Sequence, residues 1–120
     1  MWRSFTEFAD ASLTKGALYA IQKFRDKRTD MHVSCFRESE VNELGYRFLN
    51  ELNRIEDALE IFKFNITLHP QSANTYDSLG EAYFIAGDLP SAAENYKKSL
   101  SLDPFNKNAQ QMLRQLKFLH

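Results

Sequence analysis

The chain has 120 residues, 43% hydrophobic and 26% charged, with a net charge of -1. That suits one soluble globular domain and excludes an overall basic field for nucleic acid or anionic membrane. A single cysteine, Cys35, excludes an internal disulfide framework, and no apolar run reaches the ~18 residues that span a bilayer. Only four glycines and three prolines are present, so long helices joined by short turns are expected.

In chain order, residues 1–37 carry no clear repeat. The start, Met1 to Glu7, lacks the basic-then-apolar pattern of a signal peptide. Phe5, Phe8 and Leu13 suggest a helix near Ser4–Leu13, and Leu18, Ile21 and Phe24 another near Lys15–Arg28. Ser12 and Thr14 are expected to start the second helix. Arg28 to Arg37 reads as a loop, with Met31, Val33 and Phe36 tucked onto the core, and Ser39 as the cap of the next helix.

From Glu38 onward the sequence repeats. One fixed offset along the chain takes Ala58 to Ala92, Phe62 to Tyr96, Ile66 to Leu100, Leu68 to Leu102 and Pro70 to Pro104. Ala92, Tyr96 and Leu100 form one helical stripe, with the small residue where a neighbouring helix crosses. Asp103-Pro104 ends that helix, because proline disfavours helical geometry in the residue before it. Tyr76, Leu79, Gly80 and Tyr83 mark the preceding helix, Gly87 closes it, and Asp88 caps the next, with Pro90 in its first turn. Leu44-Gly45 lies one position further from Leu79-Gly80 than that offset allows, so the earlier copy holds an extra residue. The expected place is the turn Glu51-Leu52-Asn53-Arg54, with Asn53 matching Gly87. Asn108 to Leu119 reads as a polar capping helix, with Leu113 at the same offset beyond Leu79.

The motif Tyr76-x-x-Leu79-Gly80-x-x-Tyr83, followed by Gly87, Ala92, Tyr96 and Pro104, closely resembles the tetratricopeptide repeat. The resemblance implies an all-α, short right-handed solenoid of antiparallel helix pairs with about seven helices. It divides the chain into an N-terminal pair and loop (1–37), a degenerate repeat (38–72), a complete repeat (73–106) and a cap (107–120). Glu43 to Leu49, Phe62-x-x-Asn65 and Tyr76 to Tyr83 also resemble the helical tail that follows serine-hydrolase domains of the bacterial beta-lactamase-like type.

No catalytic site is expected. Ser12-Leu13-Thr14-Lys15 matches the S-x-x-K nucleophile motif of those hydrolases, but no K-T-G is present and a helical chain of this size has no sheet to position it. His32, His69 and His120 share no metal-ligand spacing, and His69 stands at a helix end where a cation favours the dipole. Asn65-Ile66-Thr67 is a glycosylation sequon by letter, but it lies inside a helix. No cofactor motif is present, and neither nucleic acid nor membrane is an expected partner.

What the repeat resemblance implies is a protein or peptide partner held on the concave face of the first helices. Carried over by repeat position, that face comprises Asn74, Asp77, Ser78, Glu81, Phe84 and Ile85. The degenerate copy adds Asn42, Glu43, Tyr46, Leu49 and Asn50, and the cap adds Gln111, Met112 and Gln115. Asp77 and Glu81 stand where relatives that hold acidic C-terminal tails carry basic or amide groups, so such tails should be repelled. The alternative is a structural accessory domain that docks on a serine-hydrolase partner, with pairing of two copies through the solenoid ends left open. The compartment is cytoplasmic by default, and periplasmic or secreted if the chain was cut from a longer hydrolase.

Overall fold

A computed structural model describes residues 5–27 and 36–119. These form seven α-helices: α1 (Phe5–Lys15), α2 (Ala17–Lys27), α3 (Glu38–Tyr46), α4 (Ile55–Leu68), α5 (Ala73–Ala86), α6 (Leu89–Leu102) and α7 (Lys107–Leu119). Consecutive helices pack on one another except α2 and α3; α2 packs on α4 instead, and α3 also touches α5. The body extends over 46 × 28 × 18 Å.

The α1–α2 break falls at Gly16, whose φ of +98° is open to glycine and costly for other residues. Ser12 and Thr14 do not start α2. Both hydroxyls turn back into α1, Ser12 donating to the Phe8 carbonyl at 2.9 Å and Thr14 to that of Asp10 at 2.8 Å. The first N–H of α2, on Ala17, is accepted instead by Asp57 Oδ1 of α4 at 2.8 Å. Arg54, ion-paired to Asp57 at 2.8 Å, donates to the carbonyl of Leu13 at 2.9 Å. One charged pair on a distant helix therefore satisfies orphan groups at both ends of this break.

Phe36 is buried, as expected; Met31, Val33 and Cys35 lie outside the described residues. His69, just past the end of α4, donates its ring N–H to the Phe36 carbonyl at 2.8 Å and so ties the entry of α3 to the exit of α4. Arg37, not Ser39, is the N-cap of α3, and Glu40 Oε1 accepts the Arg37 N–H at 3.1 Å. The cap therefore comes from the residue three places on, reaching back.

After α3 the chain makes a π-helical turn over Arg47–Glu51, closed by the Leu52 N–H on the Arg47 carbonyl at 3.1 Å. This wider turn absorbs the extra residue of the first copy. The insertion thus sits in the end of the helix and not, as expected, in the turn Glu51-Leu52-Asn53-Arg54. Asn53 does take the left-handed conformation, with φ +53°, that Gly87 takes at φ +87° in the next copy.

The core is aromatic where it is thickest. Phe8 stacks on Phe64 at 5.1 Å, Phe24 meets Phe64 edge-on at 5.2 Å, and Phe36 packs against Phe8 and Phe24. Ala58 and Phe62, and their counterparts Ala92 and Tyr96, are buried, as their stripe predicts. Asp88 caps α6 by accepting the Ser91 N–H at 3.2 Å. Buried polar groups repeat as well. Asn65 donates to the Glu38 carbonyl at 3.1 Å, and Ser99, its counterpart in the next copy, donates to the Ala73 carbonyl at 2.8 Å. Each ties a second helix to the start of the first helix in its own pair, and the burial of Asn65 closes its sequon to glycosylation.

Candidate functional site

The first helices α3, α5 and α7 share one side of the molecule, linked by polar side chains across the pairs. Tyr46 of α3 donates its hydroxyl to Glu81 Oε1 of α5 at 2.8 Å, and the same hydroxyl lies 3.3 Å from Ser78 Oγ. Phe62 braces the Tyr46 ring edge-on at 5.0 Å. Burial, aided by Glu81, pushes the Tyr46 hydroxyl well above its usual range, so it remains a proton donor. Asn74 at the start of α5 donates to Glu38 Oε2 at 3.0 Å. Asn108 at the start of α7 donates to both oxygens of Asp77, at 3.0 and 3.1 Å. Asp77 titrates above the ordinary carboxylate value because it is partly buried and lies beside Glu81, while the amides of Asn108 and Asn106 oppose the shift.

Between α5 and α7 lies an open cleft of about 360 Å³, lined by Glu81, Phe84, Ile85, Tyr96, Asn108, Met112 and Gln115. Ile85 is 46% exposed and Phe84 half-buried, so the terminal helix flanks these side chains without sealing them. Five of the residues expected from sequence therefore converge here: Glu81, Phe84, Ile85, Met112 and Gln115. Tyr46, Ser78, Asp77 and Asn74 form the adjoining hydrogen-bonded stretch, with Ser78 itself buried. Asn42 is half-buried on α3, and Glu43, Asn50 and Gln111 are exposed but outside the cleft lining.

Leu49 does not belong to the site. It is 3% exposed and part of the core. The reason is the π-helical turn: an extra residue upstream of Asn50 rotates the following side chains by about 100° relative to a regular helix. Phe48 and Leu49, adjacent in sequence, are both buried. Two lining residues escape the sequence reading. The helical stripe assigns Tyr96 wholly to the core. Asn108 is the counterpart of Asn74 one repeat later, so extending the repeat by that one position would find it.

The S-x-x-K match has no catalytic geometry. Ser12 is buried with its hydroxyl bonded inside α1, and the Lys15 ammonium stands over the Tyr19 ring, 5.1 Å from its centroid. Among the described residues no group of three His, Cys, Asp or Glu side chains could hold a metal; His32, Cys35 and His120 lie outside them. No helix among them is long and apolar enough to cross a membrane.

No family model matches the chain. Over 65 residues, 54% of the chain, it is 38% identical to Heat shock protein STI1 of Saccharomyces cerevisiae. Over 59 residues, 49% of the chain, it is 41% identical to the Hsp70-Hsp90 organizing protein of Triticum aestivum. The matches span only 11% and 10% of those relatives. The first TPR of Spaghetti (RPAP3), solved bound to the HSP90 peptide SRMEEVD, superposes with a TM-score of 0.65 over 94% of this chain and 87% of that one, at 19% identity. The chain has the tetratricopeptide-repeat fold. MamA shares it, with a TM-score of 0.63, 19% identity, and coverage of 99% of this chain and 66% of that one. In this repeat chain, α3–α4 and α5–α6 are the paired helices that the sequence period marks, and α7 follows as a lone first helix. None of these proteins is named as a hydrolase, and the likeness to hydrolase tails does not extend beyond Glu43 to Leu49, Phe62-x-x-Asn65 and Tyr76 to Tyr83.

Proposed function

We propose that this tetratricopeptide-repeat chain is a protein-interaction module that holds an extended peptide segment along the inner side of α3, α5 and α7. The observation that carries the reading is the open cleft between α5 and α7, where exposed apolar walls stand beside hydrogen-bonding groups. At about 360 Å³ it lies at the low end of the ~300–1,000 Å³ of small-molecule sites, and it is open to solvent. One or two side chains of a longer ligand fit it better than a whole cofactor does. The exposed polar groups Asn74 and Gln115 can bond a peptide backbone, while Phe84, Ile85 and Met112 take side chains. The likeness to a domain solved with an HSP90 peptide, and to relatives named for heat-shock proteins, agrees with a peptide partner.

The test is selection from a random-peptide phage library on the full chain, followed by titration of the selected peptides. Met112→Ala with Phe84→Ala should weaken binding at least about tenfold, as loss of central apolar anchors does. Selected peptides that bind the double variant as tightly as the parent chain would overturn the assignment.

A further inference from the structure

Resting on that groove, the arrangement of charge specifies which peptides it takes. We propose that the groove selects an extended segment of net positive charge, with a lysine or arginine beside an aliphatic residue, and rejects net-acidic segments such as SRMEEVD.

The cleft lining contains one carboxylate, Glu81, and no lysine or arginine. Asp77 lies one helical turn before Glu81 on α5, on the same face. Both carboxylates are hydrogen-bonded and neither is neutralised. Glu81 receives the Tyr46 hydroxyl on Oε1, and Asp77 receives the Asn108 amide. Hydroxyl and amide groups supply dipoles without a compensating charge. The ion pairs among the described residues, Arg54–Asp57 and Lys63–Glu60, involve neither residue. Two like charges one turn apart on a partly buried face repel, and a ligand cation placed between them relieves that repulsion. Burial first, and Glu81 after it, raise the Asp77 carboxyl above its ordinary value, in keeping with that negative field. Phe84, Ile85 and Met112 beside Glu81 supply the apolar wall for the neighbouring aliphatic side chain. SRMEEVD, the peptide in the solved neighbour, would instead bring three side-chain carboxylates and a terminal one to this face.

The experiment compares two unlabelled peptides against the full chain by calorimetry: SRMEEVD with a free C-terminus, and SRMKKVK as its C-terminal amide. Backbone amide NMR shifts locate each on the fold. SRMKKVK-amide should bind at least about tenfold more tightly than SRMEEVD, with shifts centred on Glu81, Phe84 and Met112, and weaken several-fold between about 50 and about 300 mM salt. Glu81→Gln keeps an acceptor for Tyr46 and should weaken SRMKKVK-amide about fivefold or more, while Glu81→Lys should reverse the preference. Tighter binding of SRMEEVD at the same residues overturns the charge rule and leaves the groove intact. Indifference of SRMKKVK-amide to Glu81→Gln also overturns the rule. Failure of both peptides to bind overturns it too, and phage-selected peptides that still shift the groove would then preserve peptide binding. Shifts confined to α2, α4 and α6 overturn both the rule and the groove.

Discussion

A buried ring needs a hole to fill, and two glycines make the holes. A Cβ placed on Gly45 would fall on the Phe62 ring, with ring carbons at 2.7 Å, whereas one placed on Gly80 would meet the Tyr96 ring at 3.1 Å. Gly45→Ala should therefore destabilise the fold by about 1–3 kcal/mol, and Gly80→Ala by clearly less, since the ring there needs to yield only a few tenths of an ångström. Urea unfolding of the two variants checks the order, and equal losses would contradict it. Asp77 makes a different prediction. Its folded-state affinity for a proton is raised above the ordinary value of 3.8, so the folded state binds the proton better than the unfolded chain does. Stability from this group is therefore lost as pH rises through the carboxylate range. Asp77→Asn keeps an acceptor for Asn108 and should melt above the parent chain at neutral pH, with the gap closing near pH ~3. A parent chain that melts higher at neutral pH would refute the sign. The small-and-aromatic pairs are legible because they recur at the repeat period. The Arg54–Asp57 tie to α1 and α2 is not, because it joins residues 40 or more apart in sequence with no local pattern.

At the scale of elements, the breaks that depend on special backbone geometry can be read: Gly87 and Asp88 between α5 and α6, and Asn53 before α4. The caps that depend on tertiary partners cannot. Ser12 and Thr14 have the chemistry of caps, yet Asp57 satisfies the α2 start from another helix. The π-helical turn is the instructive case. The slip of one position between the two copies reveals an insertion, but not whether helix or turn absorbs it. Its place decides which way Leu49 faces. Leu49→Ala should cost about 2–5 kcal/mol as a core truncation, whereas Asn50→Ala should stay within about 0.5 kcal/mol. Chemical denaturation of the pair measures this, and a near-neutral Leu49→Ala would return that residue to the surface.

At the scale of the whole molecule, packing follows the repeat. One apolar cluster runs from α1 to α5, and a second joins α6 and α7. Tyr83 of α5 packs against both, so the helix that carries Glu81 and Phe84 is anchored from either side. An array of this kind holds its first helices on one face, and side chains there can serve a ligand because the core lies elsewhere. Amide hydrogen exchange of the full chain, with and without a saturating phage-selected peptide, tests that division most directly. Peptide binding on the inner face predicts slowed exchange through the second half of α5, Glu81 to Ala86, and the start of α7. Protection confined to α2, α4 and α6 would contradict it.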